Sequence, residues 1–321
     1  VAGGNARVWL VNQDNDSVSV FDAVTAAKLG ETAVGAAPRS VAVAPDGRVW
    51  VTNKGAATVS IVDRTSLAVV QTVVLPRASM PFGLAFAPDG SAAYVALEGT
   101  GQLQKLHPTS GVVLGSVAVG ANPRQVSITA DSSRILVSRF ITPPLPGEST
   151  AAVATDVGGV PRGGEVIVVT SAMAVERTVV LQHSDRTDTS LQGAGVPNYL
   201  AAVAISPDGR SAWVPSKQDN IKRGALRSGL DLDFQNSVRA ISSRIDLTTW
   251  LEDSAGRVDH DNSGLGSAAA FHANGAYLFV ALQTSRQVAV IDAVGKRELF
   301  RFDAGRAPDG TYLVDDRGRA P

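Results

Sequence analysis

Side chains able to do chemistry recur in this chain at fixed places. Arg39, Phe82, Arg124, Asn198 and Tyr199 each stand at the start of a short alternating apolar segment. Asn53, Lys54, Glu98, Arg139, Phe140, Lys217 and Gln283 each follow such a segment. If the segments are strands related by rotation, these positions converge. The cations Arg39, Lys54, Arg124, Arg139 and Lys217 against the carboxylate Glu98 then make a focused positive funnel in a chain of net charge -1. Its fitting guest is an anionic or carbonyl-rich ligand, or an acidic protein surface. The alternative is that these Arg and Lys side chains pair with carboxylates in neighbouring turns and only tie the segments together.

Other chemistry has less to build on. Asp259-His260-Asp261-Asn262-Ser263-Gly264 opens like a calcium loop, with oxygen donors at Asp259, Asp261 and Ser263 and glycine in the sixth place. The twelfth place is Ala270, so the bidentate carboxylate is missing. An ordinary Asx-rich turn is the simpler reading. His107, His183, His260 and His272 lie far apart, without the short spacing of a zinc site. His107 and His272 stand in turns, while His183 beside Asp185 and His260 beside its Asp neighbours are the better functional candidates. No Gly-x-Ser-x-Gly elbow is present and cysteine is absent, so no catalytic residue is assigned and thiol catalysis, disulfides, thiolate metal sites and covalent c-type haem attachment within this chain are excluded.

The elements that must hold these residues are short strands. Pro38 to Asp63 contains an alternating run from Ser40 to Ala44, a Pro45-Asp46-Gly47 turn, a run from Arg48 to Thr52, a polar turn, and a run from Thr58 to Asp63. Three strands in succession make an antiparallel meander. The same order returns from Pro81, Pro123, Tyr199 and Ser267, and the first three prolines are 43 and 42 residues apart. That period belongs to four-stranded blades, and the expected fold is an all-β propeller forming a single domain over residues 1–321.

The segments WVTNKGAATVSIVD, WLVNQDNDSVSVFD and YVALEGTGQLQKL resemble the repeat of the YVTN β-propellers. The resemblance covers nearly the whole chain and is specific for fold. It implies an exported bacterial protein, periplasmic or extracellular, with any leader already removed, that serves as a binding platform for a protein partner or small anionic ligand. It further implies association with a cytochrome c or di-haem peroxidase module supplied by another domain or chain. A lactonase-like hydrolase, or a redox accessory to a haem partner, is the alternative function.

The first segment starts in mid-blade at Arg7, and Gly305 to Pro308 matches Gly35 to Pro38 in phase. Thr311 to Asp315 is therefore expected to pair with Arg7 to Asn12 and close the ring, giving six blades. Seven is the alternative if further strands follow Pro321. Three insertions interrupt the repeat, at 141–164, 184–197 and 218–236, and are expected on one face. The pI of about 6.5 gives no nucleic-acid footprint, and no apolar run is long enough to span a bilayer.

Overall fold

The computed structural model describes residues 7–148, 154–187, 189, 192–220 and 238–304. These residues form strands, turns and two short 3-10 segments, with no α-helix among them. The chain divides into two compact units, residues 1–137 with 168–176 and residues 138–167 with 177–321.

Strands β1 (Arg7–Asn12), β2 (Ser17–Asp22) and β3 (Lys28–Ala33) form a three-stranded antiparallel sheet. Strands β4 (Pro38–Val43), β5 (Val49–Asn53), β6 (Thr58–Val62) and β7 (Val69–Val74) form a four-stranded one. So do β8 (Pro81–Phe86), β9 (Ala93–Leu97), β10 (Gln102–Leu106) and β11 (Val113–Ala118). A third four-stranded sheet takes β12 (Pro123–Ile128), β13 (Arg134–Arg139), β16 (Gly163–Thr170) and β17 (Val175–Gln182). The hairpin of β14 (Asp156–Val157) and β15 (Val160–Pro161) lies between β13 and β16 in sequence. A seven-stranded sheet follows. Its strands are β18 (Ser184–Asp185), β19 (Ala194–Asn198), β20 (Ala204–Ile205), β21 (Ser211–Asp219), β22 (Val238–Asp246), β23 (Leu251–Glu252) and β24 (Val258–His260). The last sheet is β25 (Gly266–Phe271), β26 (Tyr277–Leu282), β27 (Gln287–Asp292) and β28 (Arg297–Asp303).

These small antiparallel sheets are blades of the propeller type, as the repeat predicts. Their number differs from expectation. Among the described residues five sheets have three or four strands, so a count of six is reached only if the seven-stranded sheet is taken as a blade. No seventh is found there. The expected closing strand, Thr311 to Asp315, lies outside the described residues, as does most of the insertion 218–236.

The insertion 184–197 is not simply an excursion from the sheet. Val196, Pro197 and Asn198 pair with Asp219, Gln218 and Lys217, and Ser184 and Asp185 pair with Gly195 and Ala194. The reason is that β21 runs for nine residues, where β5 and β9 run for five, and its extra length offers backbone groups that β19 satisfies. In the same unit Thr142, from the first insertion, donates its N–H to Asn198 Oδ1 at 3.0 Å and its hydroxyl to Pro197 O at 2.5 Å. The described parts of all three insertions therefore meet at β19.

The repeat persists because each of its letters has a local task. Asn53 at the end of β5 donates to Thr58 Oγ1 and Ser60 Oγ, each at 2.9 Å, and so fastens the second strand of its blade to the third. Asn12 does the same to Ser17 and Ser19. The apolar positions between them build the core. Trp50 packs with Val59, Ile61, Val95, Leu97 and Leu106 in the first unit, and Trp213 with Val258, Leu278, Val280 and Ile291 in the second.

Turn carboxylates recur in the same way. Asp46, Asp89, Asp131 and Asp208 each accept the N–H two residues on, at 2.9 to 3.1 Å. Asp131, bonded by the Thr129 hydroxyl, the Ser133 N–H and the Ser133 hydroxyl, is held down at about 2. Asp22, Asp63, Asp208 and Asp246 lie below their ordinary value of 3.8 for like reasons. Because the folded values are depressed, the unfolded chain binds more protons in acid, and this stabilisation is present above about pH 4. It should be lost progressively as pH falls through 3.8 towards about 2. Urea midpoints measured from pH 6 to pH 2.5 should fall in that window, and a flat profile would refute the assignment.

Candidate functional site

The geometry of the first unit brings together five of the predicted residues. Ala37, Met80 and Asn122 each adopt a positive φ, of 50°, 51° and 56°, immediately before the first strand of a sheet. This common bend sets Arg39, Phe82 and Arg124, each two residues later, in equivalent places. Thr52 then ties the strands, accepting the Ser40 N–H at 3.0 Å and donating to Phe82 O at 2.6 Å. Gly83 lets β8 approach β12 closely, since a Cβ there would lie 2.4 Å from Arg124 O.

Three cations consequently surround one aromatic ring. Arg124 Cζ is 4.9 Å from the Phe82 centroid, Lys54 Nζ 5.5 Å and Arg39 Cζ 5.8 Å. Glu98 accepts from Lys54 Nζ at 2.5 Å and from Arg124 Nε at 2.6 Å. Its side chain is only 9% exposed, so this is a largely desolvated pair of bridges. Among the described residues Arg39 has no carboxylate partner, and its Nε is buried without a hydrogen bond. A cavity of about 580 Å³ adjoins the Lys54–Glu98 pair, lined by Met80, Thr100, Asn122 and small residues. Asn53, fully buried, acts as the strand fastener described above.

The other predicted cations lie in the second unit, and they too are paired rather than open. Arg139 Nη1 donates to Glu165 at 2.5 Å, and Lys217 is 3.0 Å from Asp219 Oδ1. Lys217 also lies 3.8 Å from the Tyr199 centroid, and Tyr199 stacks on Phe140 at 4.3 Å. Tyr199 has φ 54°, so it occupies the bend position of Ala37, Met80 and Asn122 and not that of Arg39. Glu165 and Asp219 thus stand beside the predicted cations of the second unit, as Glu98 does beside those of the first. Neither was found from sequence, because the repeat does not mark them.

Asp259, Asp261 and Ser263 do not present a shared set of oxygens. Asp259 sits on β24, with its side chain 2% exposed and Oδ2 3.8 Å from Arg186, while Oδ1 has no hydrogen bond. Burial pushes its carboxyl up, although Arg239, Arg257 and Arg186 pull the other way. Asp261 accepts from its neighbour Asn262, and Ser263 pairs with Ser285. Among the described residues no group of three or more His, Cys, Asp or Glu is placed to hold a metal.

His107 and His272 are turn residues, as expected. His107 Nδ1 accepts from Thr109 and Ser110 N–H, in the manner of the turn aspartates. His260 finds partners that sequence did not suggest. Its Nε2 is 2.9 Å from Ser242 Oγ and its Nδ1 2.6 Å from Glu298 Oε2. That is the order of a nucleophilic triad. Ser242 and His260 are both fully buried, however, and the set fastens β22, β24 and β28. Burial acts against the charge on Glu298, yet His260 and Arg301 hold it below the usual carboxylate range.

No protein-family model matches the chain, and no curated protein sequence matches it. Solved structures do. Hydrazine synthase of Kuenenia stuttgartiensis aligns with a TM-score of 0.71 at 19% identity, covering 95% of this chain and 87% of that one. A catalytically inactive virginiamycin B lyase from Staphylococcus aureus, with quinupristin, aligns at 0.61 and 12% identity over 93% and 80%. A provisionally assigned 6-phosphogluconolactonase from Bacteroides uniformis aligns at 0.59 and 15% over 88% and 76%. At these identities the likeness establishes the β-propeller fold and not a function. Among the described residues no helix is long and apolar enough to cross a membrane.

Proposed function

We propose that this chain is a non-enzymatic binding propeller whose first unit receives an anionic group, carried by a small ligand or an acidic protein partner. The observation that carries the reading is Arg39. Lys54 and Arg124 share one carboxylate, while Arg39 stands on the same ring with none among the described residues. An uncompensated guanidinium held beside an apolar face, with part of it shielded from water, is an anion receptor in want of its anion. An acyl-transfer or hydrolytic site would need an accessible acid and base as well. Glu98 is already tied to two cations, and the Ser242–His260 pair is buried. Export, and a haem-bearing partner of the cytochrome c or di-haem kind, extend this reading on the strength of the repeat resemblance.

The test is Arg39→Ala, followed by calorimetric titration with succinate and with inorganic phosphate at fixed ionic strength. Affinity should fall about tenfold, the scale of one charge-assisted hydrogen bond. The melting temperature should barely move, because Arg39 makes no ion pair among the described residues. Unchanged affinity for both anions would refute the assignment of Arg39.

A further inference from the structure

Glu98 is itself an anion bound in the proposed site, and it shows how a carboxylate is held there. One of its oxygens meets Lys54 and the other Arg124, so each cation takes one lone-pair direction of a single carboxylate. Three cations surround Phe82, and among the described residues Glu98 is the carboxylate that Lys54 and Arg124 share. Glu98 also has somewhere to go. It lines the cavity of about 580 Å³ together with Gly99, Thr100 and Gly101, so open space adjoins it. Resting on the anion-binding reading above, we infer that the ligand is a small dianion and that Glu98 is its resident competitor. One negative group of the ligand takes the place of Glu98 between Lys54 and Arg124, and the second meets Arg39. In the unliganded protein Glu98 keeps Lys54 and Arg124 in place at reduced net charge and lowers the affinity for weakly charged anions.

The experiment compares the whole chain, Glu98→Gln, and Glu98→Gln with Arg39→Ala, titrated with succinate, acetate and inorganic phosphate. Glutamine keeps the shape and an acceptor oxygen while removing the competing charge. Glu98→Gln should bind succinate or phosphate at least about tenfold more tightly than the parent chain, a conservative figure for deleting a like charge at contact distance. Adding Arg39→Ala should erase its preference for succinate over acetate. Which of succinate and phosphate gains more tells whether the dianion is a dicarboxylate or a phosphate. If Glu98→Gln proves poorly folded by circular dichroism, Glu98→Asp, which draws the carboxylate back by one methylene, should show a smaller gain in the same direction. Equal or weaker binding by the folded variants, with the parent chain still binding, would overturn the competitor role and leave the anion site standing. Failure of every protein to bind any of the anions would overturn the site itself.

Discussion

Replacement of Arg257 by Ala should lower the free energy of unfolding by about 3–5 kcal/mol, the range found when one partner of a buried ion pair is removed. The side chains of Arg257 and Glu252 are 3% and 1% exposed. Arg257 bonds Glu252 through Nε and Nη2, donates from Nη2 to Gln182 O at 2.7 Å, and from Nη1 to Gln218 Oε1 at 3.2 Å. Glu252 also accepts the Gln182 N–H at 2.7 Å. Alanine would take the Arg257 cation from a buried carboxylate and its donors from the buried Gln218 Oε1 and the part-buried Gln182 O. The double change Arg257→Met with Glu252→Leu should recover much of the loss, since it removes both charges while keeping volume. Urea unfolding of the three proteins checks this. A loss below about 1 kcal/mol for the single variant, the scale of an exposed pair, would show that the pair is open to water.

Gly83→Ala should damage stability and ligand binding together. A Cβ at this position would lie 2.4 Å from Arg124 O and 2.9 Å from Gln125 Cα, both backbone atoms that no side-chain rotation can relieve. The strands must separate, and overpacking of this kind costs about 1–3 kcal/mol. The strand pushed aside carries Arg124, and the residue before Gly83 is the ring on which all three cations rest. Anion affinity should therefore fall about tenfold or more, on the same scale as loss of a charged contact. Thermal melting and calorimetric titration of the one variant give both readouts. A destabilised variant with full affinity would mean that the ring and its cations tolerate the shift, and that β8 does not position them.

How far this molecule could be read from its residues depended on the range of the interactions concerned. Turns and strands were legible because their causes lie within a few residues. Asp46 bonds the N–H of Arg48 two places on, and Asn53 reaches Thr58 and Ser60 on the adjoining strand, so each repeat announces its own meander. The positions of Arg39, Phe82, Lys54, Glu98 and Arg124 followed from that repetition, since equivalent places in successive sheets meet. What each charge would face did not follow. Glu98 takes one cation from 44 residues before it and another from 26 after it, and a sequence supplies only formal charges with no partners. Glu165 for Arg139, Asp219 for Lys217 and Glu298 for His260 were hidden for the same reason. The insertion 184–197 reads as loop because Gly195 and Pro197 break the strand pattern, yet the long β21 leaves backbone groups that draw it into the sheet. Period and turn chemistry are local, so the chain alone specified blades and the rank of side chains along them. Ion pairing and strand addition depend on distance in space, so only the tertiary structure decided that Lys54, Arg124, Arg139 and Lys217 have carboxylates beside them and that Arg39 has none among the described residues.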